Sequence, residues 1–121
     1  MRTIKFRAKA VSKNDWVYGN FIHSKRFEGC SNEFRIHEQE TGIESDVLEE
    51  TLGQFTGLHD KNDKEIYEGD IVRLAEGVHP IRFMRGCFGF RVKSGQRYDV
   101  GTFCNVEVLG NIHDNPELLT N

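Results

Sequence analysis

Hydrophobic and polar positions alternate along much of this chain with a period of two, which is the period of a β-strand with one buried face. The first run places four apolar residues on one face and three basic residues on the other: Ile4, Phe6, Ala8 and Ala10 against Lys5, Arg7 and Lys9. A polar segment at 12–15 separates it from a second, mostly apolar run at 16–22. These two runs predict a β-hairpin.

Short strands are also predicted further along the chain, between Gly, Asn and Asp residues. They cover residues 65–67, 71–74, 81–84, 88–93 and 106–112. Residues 44–52 fit either a short helix or an extended acidic segment. Near the C-terminus, Pro116 predicts a helical turn capped by Asp114 or Asn115. Short strands at this spacing indicate an all-β protein, built as a small barrel or sandwich.

Length and composition limit the size and class of the protein. The 121 residues suffice for one ordinary domain or two small ones, and 37% hydrophobic with 29% charged residues indicates a soluble chain. No apolar run approaches the ~18 residues of a membrane span, and the N-terminal residues lack a signal-peptide pattern, so we expect a cytoplasmic protein. An odd number of cysteines, three, fits reduced thiols.

Charge is distributed in blocks that nearly cancel. Residues 1–13 hold five basic and no acidic residues, 38–50 hold six acidic and no basic residues, and 81–98 hold five basic and no acidic residues. The net charge of -3 argues against a protein that coats nucleic acid or an anionic membrane with its whole surface. A basic block on one subunit could meet an acidic block on another, so self-association is a reasonable expectation.

Three segments together resemble the YopX family of phage and prophage proteins. They are Ile4-Lys5-Phe6-Arg7 with Trp16-Val17-Tyr18-Gly19, residues 53–72 (GQFTGLHDKNDKEIYEGDIV) and residues 106–119 (VEVLGNIHDNPELL). The resemblance implies a β-rich N-terminal region at 1–52 and an SH3-like barrel at 53–121, packed as two parts or as one compact unit. It implies a bacteriophage or prophage origin and brings no activity with it. Asp63 stands where the family usually has Gly, and Asp tolerates the positive φ of such a turn.

The middle motif, residues 53–72, allows two interpretations. In one, its Gly, Asp and Asn residues form turns between strands of a barrel wall. In the other, five side chains form an acid/base or divalent-metal site: His59, Asp60, Glu65, Glu68 and Asp70. Turn chemistry is favoured, because Asp and Asn bond readily to nearby backbone groups.

Transition-metal ligands are present without the spacing of a zinc site. They are His23, Cys30, His37, His59, His79, Cys87, Cys104 and His113. No pair has the close spacing of C-x-x-C or H-x-x-x-H, although Cys30 and His37 could meet across a hairpin. Buried thiols and hydrogen-bonded or solvated imidazoles are the favoured interpretation. We therefore predict no metal, no cofactor and no nucleophilic Cys–His pair.

The basic block 81–98 (IRFMRGCFGFRVKSGQRY) has the strongest claim to a binding surface. Its candidate residues are Arg82, Arg85, Arg91, Lys93 and Arg97. Alternation predicts two faces, with Phe88, Phe90 and Val92 opposite Arg91 and Lys93, and with Ile81 and Phe83 opposite Arg82 and Met84. A hairpin would gather the cations on one face, where they could meet phosphate or an acidic protein segment. Aromatic rings on the other face suit a core better than base stacking.

These observations favour a non-catalytic protein–protein interaction module. A small barrel offers loops and strand edges to partners, and neither a catalytic constellation nor a small-molecule substrate can be identified. The alternative is a nucleic-acid-binding barrel that uses the block 81–98. An enzyme ranks third, since it would need a deep pocket with convergent titratable groups.

Overall fold

The computed structural model describes residues 3–25, 27–29, 33–74, 77–92, 95–102 and 106–120. Its regular structure consists of antiparallel β-strands and short 3₁₀ turns at Glu49–Thr51, Val100–Thr102 and Pro116–Leu119. None of the helical turns in these ranges has the length and hydropathy that crossing a bilayer requires. The prediction of an all-β protein is therefore confirmed.

The chain divides into two compact units, residues 1–55 and 56–121. Unit 1 contains β1 (Phe6–Lys9), β2 (Trp16–His23), β3 (Phe34–His37), β4 (Glu44–Asp46) and the first residues of β5 (Gly53–His59). These strands lie in the order β4-β3-β2-β1-β5 within one sheet. The resemblance implied a division after residue 52, and the boundary between these two units falls three residues later, inside β5.

The first two strands form the predicted hairpin, with Ala8 opposite Val17. Ala8 and Ile36 are fully buried in the core of unit 1. The predicted faces of β1 need two corrections, because Ile4 is 56% exposed and Arg7 is only 7% exposed. Ile4 precedes the paired part of β1, so no neighbouring strand covers it. The guanidinium of Arg7 lies over the ring of Trp16, 4.6 Å from its centroid, which shields the cation and lowers the cost of burying it.

Unit 2 holds the rest of β5 and seven further strands. They are β6 (Glu65–Tyr67), β7 (Asp70–Leu74), β8 (Gly77–Pro80), β9 (Arg82–Met84), β10 (Cys87–Arg91), β11 (Arg97–Asp99) and β12 (Glu107–Asn111). Two three-stranded sheets, β12-β7-β8 and β11-β10-β9, contribute to one hydrophobic core. None of the sheets formed by the described strands closes on itself, so the SH3-like barrel stays a prediction.

The core of unit 2 contains Phe90 at 1% exposure, with Phe88 and Val92 packed against the same cluster, as the alternation of this segment predicted. Phe83 pairs with Phe88 and so lies on the predicted face, on the other side of the sheet from Arg82, but it is 55% exposed. The reason is its position: β9 is an edge strand, where Phe83 makes an edge-to-face contact with Phe88, at 5.1 Å between ring centroids.

Two ambiguous segments take mixed structures. Residues 44–52 form neither a helix nor one extended segment, but the short strand β4 followed by the turn Glu49–Thr51. The predicted C-terminal turn exists at Pro116–Leu119, and Asn115 precedes it without a side-chain capping bond. The Asn115 Oδ1 atom instead accepts a hydrogen bond from the Asn111 N–H, at 3.2 Å.

Candidate functional site

The carboxylate of Asp60 organises a turn and ties it to a distant strand. Its Oδ1 atom accepts hydrogen bonds from the N–H groups of Asn62 and Lys64, each at 2.8 Å, and its Oδ2 atom accepts one from the Val108 N–H at 2.9 Å. Burial, the largest influence on this carboxyl, would raise its pKa. The three backbone bonds and the charge of Lys64 outweigh it, and the pKa of Asp60 lies below its ordinary value.

Two other acidic residues of the motif also serve turns. Asp63 takes φ = 65°, the left-handed conformation expected where the family usually has Gly. The Oδ2 atom of Asp70, a buried residue, accepts a hydrogen bond from the Tyr67 N–H at 2.7 Å. These bonds are the turn chemistry that the sequence favoured over a site of acid/base or metal chemistry.

The predicted metal ligands are dispersed. His23 stacks on Phe34 and His79 on Phe90, each at 4.6 Å between ring centroids, while His37 Nδ1 lies 3.5 Å from a carboxylate oxygen of Glu44. Cys30 and Cys104 lie outside the described residues, so the suggested Cys30–His37 pair lies outside them too. Within the described ranges, no three His, Cys, Asp or Glu side chains converge on a point where a metal ion could sit.

The basic candidates are brought together by the register of β9, β10 and β11. Gly89 in the middle strand lies opposite Arg82 on one side and Asp99 on the other, and Arg91 lies opposite Arg97. Directly opposed residues of an antiparallel sheet share a face. Their shared face is opposite to the one on which Phe90 packs into the core. We call it the arginine face, comprising Arg82, Arg85, Arg91 and Arg97 around Gly89.

A cleft of about 420 Å³ opens on the arginine face. Its lining includes Met84, Arg85, Cys87, Gly89, Arg97 and Asp99. Gly89 is buried at its floor, and a Cβ atom at this position would collide with the carbonyl oxygen of Tyr98. Because the middle strand carries only hydrogen there, the backbone of β11 can approach Gly89 closely.

Arg85 enters the cleft from the turn between β9 and β10. Met84 and Cys87 are directly paired, so Arg85 and Gly86 form a two-residue hairpin loop with φ values of 49° and 83°. Loops with two positive φ values favour Asn-Gly or Gly-Gly, since a long side chain at the first position is strained. The backbone conformation at position 85 therefore disfavours the arginine that occupies it.

The guanidinium groups of this face repel one another. The pKa of Arg97 is lowered, chiefly by the charge of Arg85, then by partial burial and by the charge of Arg91 directly opposite. Like charges directly opposed across a sheet are destabilising. No carboxylate among the described residues forms an ion pair with any of the four arginines. The nearest acidic residue in the register, Asp99, accepts a hydrogen bond from the Gly101 N–H at 2.9 Å.

Four of the five predicted binding residues thus share one surface, and the fifth, Lys93, lies outside the described residues. Sequence reasoning missed Gly89 and Asp99, which both line the cleft. An isolated glycine inside a strand pattern often marks a close backbone approach, so Gly89 carried a usable signal. Asp99 carried none, because its position depends on the register of β11.

Comparison with known proteins adds two findings. A family model described as YopX protein matches residues 5–120. The crystal structure of protein EF1440 from Enterococcus faecalis is similar to this chain with a TM-score of 0.58 and 25% sequence identity, over 98% of this chain and 99% of that chain. A search of curated proteins gave no match.

Proposed function

This chain belongs to the YopX protein family, and from that premise we propose that it is a non-catalytic protein–protein interaction module whose arginine face binds an acidic segment of a partner. The observation that carries the proposal is the convergence of Arg85 and Arg97 at one cleft, with Arg91 directly opposite Arg97 and no carboxylate bound to these arginines among the described residues. A carboxylate in this cleft would relieve their mutual repulsion and accept charge-assisted, bidentate hydrogen bonds.

Several features favour an acidic protein segment over a nucleic acid. Base stacking requires aromatic rings beside the cations, whereas Phe88 and Phe90 pack on the core side of the sheet. Asp99 lines the same cleft and would repel phosphates and carboxylates alike, so it does not distinguish the two candidates. The net charge of -3 also opposes non-specific attraction to a polyanion.

Nucleic acid is the second candidate, and one observation favours it. Arg85, Arg91 and Arg97 are not neutralised by the described carboxylates, and phosphate oxygens accept bidentate bonds from arginine as carboxylates do. The proposal further includes an SH3-like barrel for unit 2, a phage or prophage origin, and action in the cytoplasm of a bacterial host. The family resemblance supports the barrel and the phage or prophage origin, and the cytoplasmic location is the expectation from the sequence.

Fluorescence anisotropy with a labelled Glu- and Asp-rich peptide tests the proposal. We expect salt-sensitive binding that weakens about tenfold or more in the double variant Arg85→Gln/Arg97→Gln. Arg73→Gln is the matched control, because Arg73 is exposed on β7, outside the arginine face, and should leave binding unchanged. A labelled single-stranded DNA of matched charge tests the second candidate in the same format.

The exposed thiol of Cys87 gives a second, local readout, since it lines the cleft. Bound acidic peptide should slow alkylation of Cys87, identified by peptide mapping, while a Gln-substituted peptide should not. Equal binding to wild type and the double variant, or Cys87 alkylation that ignores the peptide, would contradict the proposed function. Tighter binding of the DNA than of the acidic peptide would favour the second candidate.

A further inference from the structure

The acidic block 38–50 contains carboxylates in two different situations. Glu44 is neutralised within its own sheet, since its Oε1 atom lies 3.1 Å from Arg35 Nε and its Oε2 atom 3.5 Å from His37 Nδ1. Glu38 and Glu40, by contrast, form no ion pair with any described residue. Both lie in the loop between β3 and β4, so this hairpin tip carries two carboxylates without an ion pair among the described residues.

The hairpin tip is held in a defined shape. The Glu38 N–H donates to the Ile43 carbonyl at 2.9 Å, and the Gly42 N–H donates to the Glu38 carbonyl at 2.8 Å. Gly42 takes φ = 74°, which suits glycine and allows the tight return of the chain. A loop with these internal bonds loses little conformational entropy on binding, because it is already ordered.

The two surfaces carry opposite charge, and neither forms an ion pair among the described residues that would neutralise the groups invoked here. Ile43 adds an exposed apolar side chain at the acidic tip, where it is 55% exposed. Charge complementarity of this kind selects partners and sets their orientation.

We propose that the acidic partner is a second copy of this chain, with the tip at Glu38 and Glu40 of one copy docking into the arginine face of another. This inference rests on the proposed function of that face and names its partner. In a two-fold dimer the contact is made twice, because each copy supplies one tip and one arginine face. The contact is small, so self-association should be weak, salt-sensitive and dependent on both surfaces.

Charge-swap complementation tests the inference. Light scattering and sedimentation would follow wild type from about 1 to about 500 µM, at low and high salt. We expect Arg85→Glu/Arg97→Glu and Glu38→Lys/Glu40→Lys each to self-associate at least about tenfold more weakly than wild type. An equimolar mixture of the two variants should associate again, because both contacts then join opposite charges. The acidic tip of the Arg85→Glu/Arg97→Glu variant meets the intact arginine face of the other variant. The basic tip of the Glu38→Lys/Glu40→Lys variant meets the face whose charge has been reversed.

The matched control is Glu49→Lys/Glu50→Lys, which makes the same charge change in the same acidic block but outside the tip. It should self-associate like wild type, and circular dichroism should show that all variants are folded. A monomeric wild type, a mixture that does not associate, or a control as impaired as the tip variant would each overturn the inference. If acidic peptide still bound the arginine face in that case, the proposed function would stand with a different partner.

Discussion

Asp60 is the residue whose removal should most clearly reveal what holds unit 2 together. Its bonds to Asn62 and Lys64 lie in a surface turn where water can replace the carboxylate, so we assign them about 1 kcal/mol each. The bond to Val108 joins segments 48 residues apart and is partly buried, and we assign it about 2 kcal/mol. Asp60→Ala should therefore lower the free energy of unfolding by about 4 kcal/mol.

Urea denaturation followed by circular dichroism would measure this loss, and hydrogen exchange at the Val108 amide would localise it. Asp60→Asn should have a smaller effect, because the amide keeps one oxygen acceptor. Asp63→Asn, in the same turn, is the control: Asn tolerates the left-handed backbone, so the change should stay within about 0.5 kcal/mol. A loss below about 1 kcal/mol in Asp60→Ala would refute the reasoning from hydrogen bonds.

The same carboxylate predicts a pH dependence. The folded state lowers the pKa of Asp60 below its ordinary value of 3.8, so folding favours the ionised form. Its contribution to stability is fully present above that value and is lost as the pH falls through the folded-state pKa. The difference in stability between wild type and Asp60→Ala should therefore be constant near neutral pH and shrink below pH 3.8. A difference that persisted in acid would contradict this account.

Three further predictions concern the second unit. Arg85→Asn should relieve strain in the left-handed turn and raise the free energy of unfolding by about 0.5 to 1 kcal/mol in urea titration, while weakening the binding of acidic peptide. Stabilisation without weaker binding would argue against a role for Arg85 in binding. Burial lowers the pKa of His79, so the stability of the fold should decrease as the pH drops below 6.5. His79→Phe, whose ring can still stack on Phe90, should abolish this decrease in thermal melts between pH 7.5 and 5.5. Gly89→Ala should cost about 1 to 3 kcal/mol in urea titration, because the new methyl group meets the Tyr98 carbonyl.

Local alternation predicted those parts of the fold that depend on neighbouring residues. The hairpin of β1 and β2 and the buried face of β10 with Phe90 followed directly from a period of two. The same rule was wrong for the burial of Arg7, and it did not foresee the exposure of Phe83, whose face it predicted correctly. Arg7 is covered by Trp16 from the next strand, and Phe83 lies on an edge strand. Both outcomes depend on pairing between strands, which the alternation within one strand does not contain.

The candidate site was also predictable only in part. That Arg82 and Arg91 fall on a face away from the core could be predicted, because alternation fixes which side chains point together. That Arg91 faces Arg97 could not, since the pairing depends on the register of β11, a strand that the alternation within β10 does not describe. The family, by contrast, was predicted from three short segments and is confirmed over residues 5–120.

The pairing of β12 with β7 has a consequence for the order of folding. Glu107 pairs with Arg73 and Asn111 with Asp70, whereas β7 with β8 and β9 with β10 are joined by short connections. Local hairpins close quickly, and long-range pairing comes later because a longer loop must first be ordered. While a ribosome has not yet released residues 107–111, β7 presents an open edge beside its buried residues. Nascent chains crowded on one messenger would be exposed to mispairing at that edge until β12 emerges and covers it.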